Sequence, residues 1–212
     1  MTIALDIGLN PTKLPHSDRL LPRLSQMIKG WRKDNPPTIK KLPVEADVPE
    51  LLSHVGSRST ANELDKAIGD LALIAFYYLL CVSEYTVKTS RNTSKQTVQF
   101  RLLDVTFFKV HANGQLRQLS RSAANQDIMT ASATLKLDNQ KNGWKGVCIN
   151  QQHNGEAIHC PVHALGRRVR HIRQHAYTLD MLLSIFVAQD TGYDVTDKDM
   201  RKSLKMAAEL MQ

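Results

Sequence analysis

The sequence predicts an α+β protein, mainly helical with a small antiparallel β-sheet in its middle. Three observations carry that class. An apolar run from Leu71 to Val82 follows the helix-start pattern Thr60-Ala-Asn-Glu63. Residues between Phe100 and Asn150 alternate in part and carry two hairpin-turn signals, Asn113-Gly114 and Asn142-Gly143. Helical spacing returns after Cys160.

Each element follows in order. Leu20, Leu21, Leu24 and Ile28 fall at helical spacing over residues 16–33, interleaved with Arg19, Arg23, Lys29, Arg32 and Lys33. Asp34-Asn-Pro-Pro37 ends that helix, because each proline lacks an N–H and restrains its predecessor. Residues 36–47 read as an extended basic linker, and they divide a short segment, 1–35, from a main segment, 48–212. A short helix is expected near Val48 to Val55. The next helix, capped from Thr60, is expected to run through Ala67 to Thr86; its residues are apolar on nearly all faces, so it is the central core helix. Strands are expected over Phe100 to Val110, Thr130 to Leu137 and Trp144 to Asn150. Pro161 suits a first helical position, and Val162, Leu165, Val169 and Ile172 form the buried stripe of the helix it opens. Arg167, Arg168, Arg170 and Arg173 are expected to face outward on that helix. Thr196-Asp-Lys-Asp199 caps a final helix, which reads as cut short at Gln212.

Composition narrows the partner. The 212 residues carry a formal net charge of +8, with a pI near 9.5. That charge favours an anionic partner, nucleic acid first and an anionic membrane surface second. Cys81, Cys148 and Cys160 do not make a disulfide framework, and they fit a reducing compartment. No secretory leader is expected from Met1-Thr-Ile-Ala-Leu-Asp6, and no apolar run reaches the ~20 residues a membrane span needs. Cys148, His159, Cys160 and His163 are zinc-ligand types, but no Cys-x-x-Cys pair exists and two of them are adjacent. A buried free cysteine and surface histidines are the expectation, with neither metal nor cofactor.

The order of these parts resembles the catalytic domain of the tyrosine recombinase (phage integrase) family, in the form found in eukaryotic mobile elements. Leu80-Cys-Val-Ser-Glu-Tyr-Thr86 resembles the first signature box, Arg-x-x-Glu-Tyr-Thr. Gln140-Lys-Asn-Gly143 resembles the turn carrying the catalytic lysine, and Cys160-Pro-Val-His-Ala-Leu165 the helix start after the sheet. Asp34 to Pro43 resembles the interdomain linker. The resemblance covers about residues 20–212. It implies a partial recombinase catalytic core at 48–212, truncated, behind the tail of a helical DNA-clamping domain at 1–35.

The family's reaction cleaves and rejoins DNA through a covalent phosphotyrosine, without a metal. Arginines stabilise the extra phosphate charge through paired hydrogen bonds, and a hairpin lysine protonates the departing sugar oxygen. By resemblance Lys141 takes the lysine's role, Cys81 occupies the arginine's position, and Glu84 is structural support. A thiol is short and weakly donating, so the loss amounts to roughly a hundredfold to a thousandfold in rate. The His-x-x-Arg box and the tyrosine nucleophile are read as lying beyond the chain. The expectation is therefore a DNA-binding protein of recombination or integration, incomplete and inactive as it stands.

Phosphate contact needs only cations. The candidates are Lys29, Arg32, Lys33, Lys40 and Lys41 around the linker. Lys88, Arg91 and Lys95 follow box one, and Lys145 lies beside Lys141 on the hairpin. DNA is the expected partner, with self-association on DNA and no membrane. The resemblance implies a nuclear location; without it the chain reads as cytoplasmic. The alternative is a non-enzymatic module, built from a degenerate recombinase domain, that binds nucleic acid or a protein.

Overall fold

The computed structural model describes residues 44–89, 99–111, 113–120, 122–129, 132–137, 146–175 and 178–211. The expected helix over 16–33, the linker residues up to 43, and the Asn142-Gly143 turn lie outside the described residues, as do Lys29, Arg32, Lys33, Lys40, Lys41, Arg91, Lys95, Lys141 and Lys145.

The described elements are α1 (Asp47–Ser57), α2 (Glu63–Tyr77), α3 (Val82–Tyr85), a 3-10 turn (Leu102–Asp104), β1 (Val105–Val110), β2 (Leu116–Gln118), α4 (Asn125–Met129), β3 (Ser132–Leu137), β4 (Val147–Gln151), α5 (Pro161–Gln174), β5 (Ile185–Ala188), β6 (Thr191–Asp194) and α6 (Asp197–Leu210). Strands β2-β1-β3-β4 form an antiparallel sheet in that order, and β5 and β6 form a separate hairpin. The fold is α+β with a small antiparallel sheet.

Helix α2 is the core. Every residue from Ala67 to Ala75 is buried. Its cap is Asn62 rather than Thr60: the Asn62 Oδ1 accepts the Asp65 N–H at 2.8 Å. Helix α1 crosses α2 at two glycines. A Cβ on Gly69 would sit 2.7 Å from the Leu52 carbonyl, and one on Gly56 would sit 2.8 Å from the Asp65 carbonyl. The two backbones therefore touch where side chains would hold them apart.

The sheet closes one side of the core. Ala133, Leu135 and Leu137 on β3, with Val105 and Phe107 on β1, are buried, while β2 is exposed throughout. The far end of α2 is tied to this sheet. The Tyr78 hydroxyl donates to the Ala133 carbonyl at 3.0 Å, and the Gln151 Nε2 donates to the Tyr77 carbonyl at 2.8 Å.

Here the structure departs from a continuous helix over 67–86. Helix α2 stops at Tyr77, and Leu79 turns into the left-handed region with φ of +56°. The Leu79 N–H donates to the Phe76 carbonyl at 3.4 Å and the Leu80 N–H to the Ala75 carbonyl at 2.9 Å. This paired closure is a Schellman ending, in which glycine usually takes the left-handed place. The tie to the sheet ends the helix despite the leucine. Residues 82–85 therefore stand on their own short helix, α3.

Candidate nucleic-acid interface

The segment Cys81–Thr86 turns once between the end of α2 and the start of α6. Cys81 precedes α3 and is exposed. Glu84 is buried, at 5% exposure, and its carboxylate accepts the Cys81 N–H at 2.7 Å. The carboxylate therefore satisfies an open donor at the helix start. The Glu84 carbonyl accepts from Phe100, which joins the turn to the residues entering the sheet.

The next residues clasp α6. The Val87 N–H donates to the Val195 carbonyl at 3.0 Å, and the Asp197 N–H donates back to the Val87 carbonyl at 2.9 Å. Asp197 accepts from both the N–H and the hydroxyl of Thr89, at 3.0 and 2.9 Å. Those donors, together with Arg201, hold the Asp197 carboxyl below its ordinary range. Lys88 lies half-buried within this clasp.

Thr196 caps α6 in a reciprocal box. The Asp199 N–H donates to the Thr196 hydroxyl oxygen at 3.2 Å, and the Thr196 N–H donates to the Asp199 carboxylate at 3.0 Å. Met200 and Ala207 bury the inner face of the helix. Lys198, Arg201, Lys202 and Lys205 are all exposed, and they fall at i, i+3, i+4 and i+7 on the outer face. Within this helix Arg201 pairs with Asp197 and Lys205 with Glu209, both at 3.7 Å, while Asp199 is held by Thr196, so the outer face keeps an excess of cations.

Box one and this stripe meet at Tyr85. The phenol is buried, and burial pushes its ionisation far above the ordinary range; the Cys81 thiol adds to the shift and Arg201 opposes it. The guanidinium of Arg201 thus lies in electrostatic reach of Tyr85. Arg201 is not among the residues the sequence motifs select.

Arg167, Arg168 and Arg173 of α5 turn inward, against the outward placement expected of them, whereas Arg170 is exposed as expected. Arg168 is 2% exposed; its Nε donates to the Leu183 carbonyl at 3.0 Å and its guanidinium also reaches the Ile185 carbonyl. Arg167 donates from Nε to Asp70 at 2.7 Å and from its other nitrogens to the Ala157 and Ile158 carbonyls, both at 3.2 Å. Burial raises the Asp70 carboxyl, and Arg167, Arg168 and Arg170 pull it back.

These groups line a cavity of about 440 Å³ between α1, α2 and α5, together with Glu63, Lys66 and His171. The His171 Nε2 accepts the Val187 N–H at 3.0 Å, so the ring is neutral with its proton on Nδ1, facing Glu63 at 3.5 Å. Burial and the neighbouring Arg168 push its pKa down to about 4. The charges here are spent on one another and on carbonyls, which makes the cavity a structural seam. Among the described residues, no helix is long and apolar enough to cross a membrane. No protein-family model, curated protein or solved structure matches this chain.

Proposed function

We propose that this chain binds the phosphate backbone of DNA as a tyrosine-recombinase-like domain, without breaking strands itself. The observation that carries the reading is the exposed cationic stripe Lys198, Arg201, Lys202 and Lys205, which starts beside box one. Lysine and arginine at this spacing can follow a phosphate chain, and each contact releases condensed counterions. The net charge of +8 acts in the same direction at longer range. Cys81, an exposed thiol, offers neither the charge nor the paired donors that phosphate chemistry demands. Binding without cleavage follows from that substitution.

The test is fluorescence anisotropy of the full chain on a duplex, across about 50 to 200 mM salt. Four phosphate contacts predict a slope of log K against log salt of about −3 to −4. Replacing Lys198, Arg201, Lys202 and Lys205 together with glutamine removes most of that slope. All four side chains are exposed, so the variant keeps its fold. A wild-type chain with no affinity at low salt, or a variant with an unchanged slope, refutes the proposal.

A further inference from the structure

The loop from Gln152 to His159 leaves β4 and enters α5 at Cys160. Ser53 and Arg167 donate to the Ile158 carbonyl, Arg167 donates to the Ala157 carbonyl as well, and the His163 ring lies 3.1 Å from that same carbonyl. The loop brings His153 over the first turn of α5. The rings of His153 and His163 lie 4.4 Å apart at 65°. A ring nitrogen of each and the Cys160 Sγ all lie within 4.8 Å of one another.

We propose that His153, Cys160 and His163 bind one zinc ion, which pins this loop to the start of α5. Three features carry the assignment. The donor set, two imidazoles and a thiol, is what zinc selects. Tetrahedral zinc holds such ligand atoms roughly 3.3 to 3.7 Å apart. His153 is exposed on the loop, so it can close the remaining ångström or so without disturbing the core.

The second feature is an unsatisfied contact at His163. Its Nε2 lies 2.7 Å from the Met129 carbonyl and its Nδ1 lies 3.1 Å from the Ala157 carbonyl. A neutral imidazole has one N–H and can donate to only one of them. The shorter contact takes the proton, which leaves the Nδ1 lone pair opposed to a carbonyl oxygen. A cation at Nδ1 takes the place of the Ala157 carbonyl, which the loop must carry aside, and the Nε2–H to Met129 bond becomes the outer hydrogen bond that orients a metal-bound histidine.

The third feature is the place of Cys160. It is the N-cap of a 14-residue helix, it is fully buried, and its side chain makes no capping hydrogen bond. On binding, the S–H bond breaks, the zinc–sulfur bond forms, and the thiol proton passes to solvent. The three protein ligands leave the fourth corner to water. The spacing His-x6-Cys-x2-His differs from the group Cys148, His159, Cys160 and His163 considered from the sequence. Cys148 is exposed on β4 and lies outside this cluster.

The probe is cobalt(II), titrated into the full chain after chelator treatment, with zinc competition as confirmation. The expected result is one equivalent taken up, with a thiolate charge-transfer band and the visible bands of tetrahedral cobalt. Cys160→Ser removes the charge-transfer band, and Cys148→Ser leaves it unchanged. His153→Gln weakens uptake at least about tenfold. That variant changes an exposed loop residue, so it reports on the site even if Cys160→Ser fails to fold. A chain that takes up neither metal at neutral pH overturns the proposal, as does uptake that survives His153→Gln undiminished.

Discussion

The Asp70 carboxylate on α2 and the Arg167 guanidinium on α5 meet at 2.7 Å, and this contact joins the central helix to the one that carries the Cys160 turn. Asp70 is the acid at the centre of the seam, with Arg167 bonded to it and the buried Arg168 close enough to feel its charge. Removing one partner of such a pair leaves the other charge buried and uncompensated, which costs about 3–5 kcal/mol. Asp70→Ala is expected to destabilise by that amount, and Arg167→Ala by a similar one. The double variant costs less than their sum by at least about 1 kcal/mol, because the second deletion removes a charge already stranded. Urea midpoints of the three variants measure this, and strict additivity contradicts it.

The same pair shows where sequence reading stops. The class, most of the sheet and the cap of α6 were legible because each depends on local chemistry: Thr196 and Asp199 form their box whatever lies around them, and Asn113-Gly114 turns the chain with Gly114 at φ of +78°. Arg168 was not legible, since an arginine on a helix reads as solvated unless a neighbour offers carbonyls, and those come from Leu183 and Ile185 in a hairpin with no Asn-Gly signal. The end of α2 was not legible either, because a leucine stands where glycine marks such endings. Two of the three residues of the proposed metal site, Cys160 and His163, can be read as a spaced pair. His153 joins only through the path of its loop.

Leu79 supplies a prediction of opposite sign. It is 87% exposed and held at φ of +56°, so its side chain contributes strain and little packing. A Cβ in the left-handed region costs about 1–2 kcal/mol, part of which glycine gives back through its freer unfolded chain. Leu79→Gly is expected to stabilise by about 0.5–1 kcal/mol, and Leu79→Ala, which keeps the Cβ, by much less. Thermal unfolding of both variants decides, and equal gains from the two contradict the strain account.

At Gly69 the same addition of a Cβ works against the fold. The new atom meets the Leu52 carbonyl at 2.7 Å, and neither backbone can yield without parting α1 from α2. Gly69→Ala is expected to cost about 1–3 kcal/mol, despite alanine's better helix propensity. An unchanged or raised denaturation midpoint contradicts the close crossing.

His171 gives the seam a pH dependence. Its folded pKa lies near 4, below the ordinary 6.5. Between those values the unfolded chain binds the proton more readily than the folded one, so stability falls as pH drops from 6.5 towards 4. Allowing for solvent screening, the loss is about 2 kcal/mol. His171→Gln can keep an acceptor for the Val187 N–H and has no proton to bind, so its stability changes less over that interval. Denaturant midpoints at pH 7 and pH 4.5 compare the two, and parallel losses contradict the assignment.

Cys81 offers the most direct probe of the DNA reading. Its side chain is exposed, so Cys81→Arg adds a guanidinium without crowding the core and changes stability by no more than about 0.5 kcal/mol. The new cation joins Arg201 near Tyr85, at the head of the α6 stripe. If a phosphate backbone runs past this point, one more contact forms. The salt slope then steepens by about 0.9, and affinity at low salt rises. A variant that folds normally yet binds DNA with an unaltered slope means that the backbone does not pass position 81, and box one then has no part in binding.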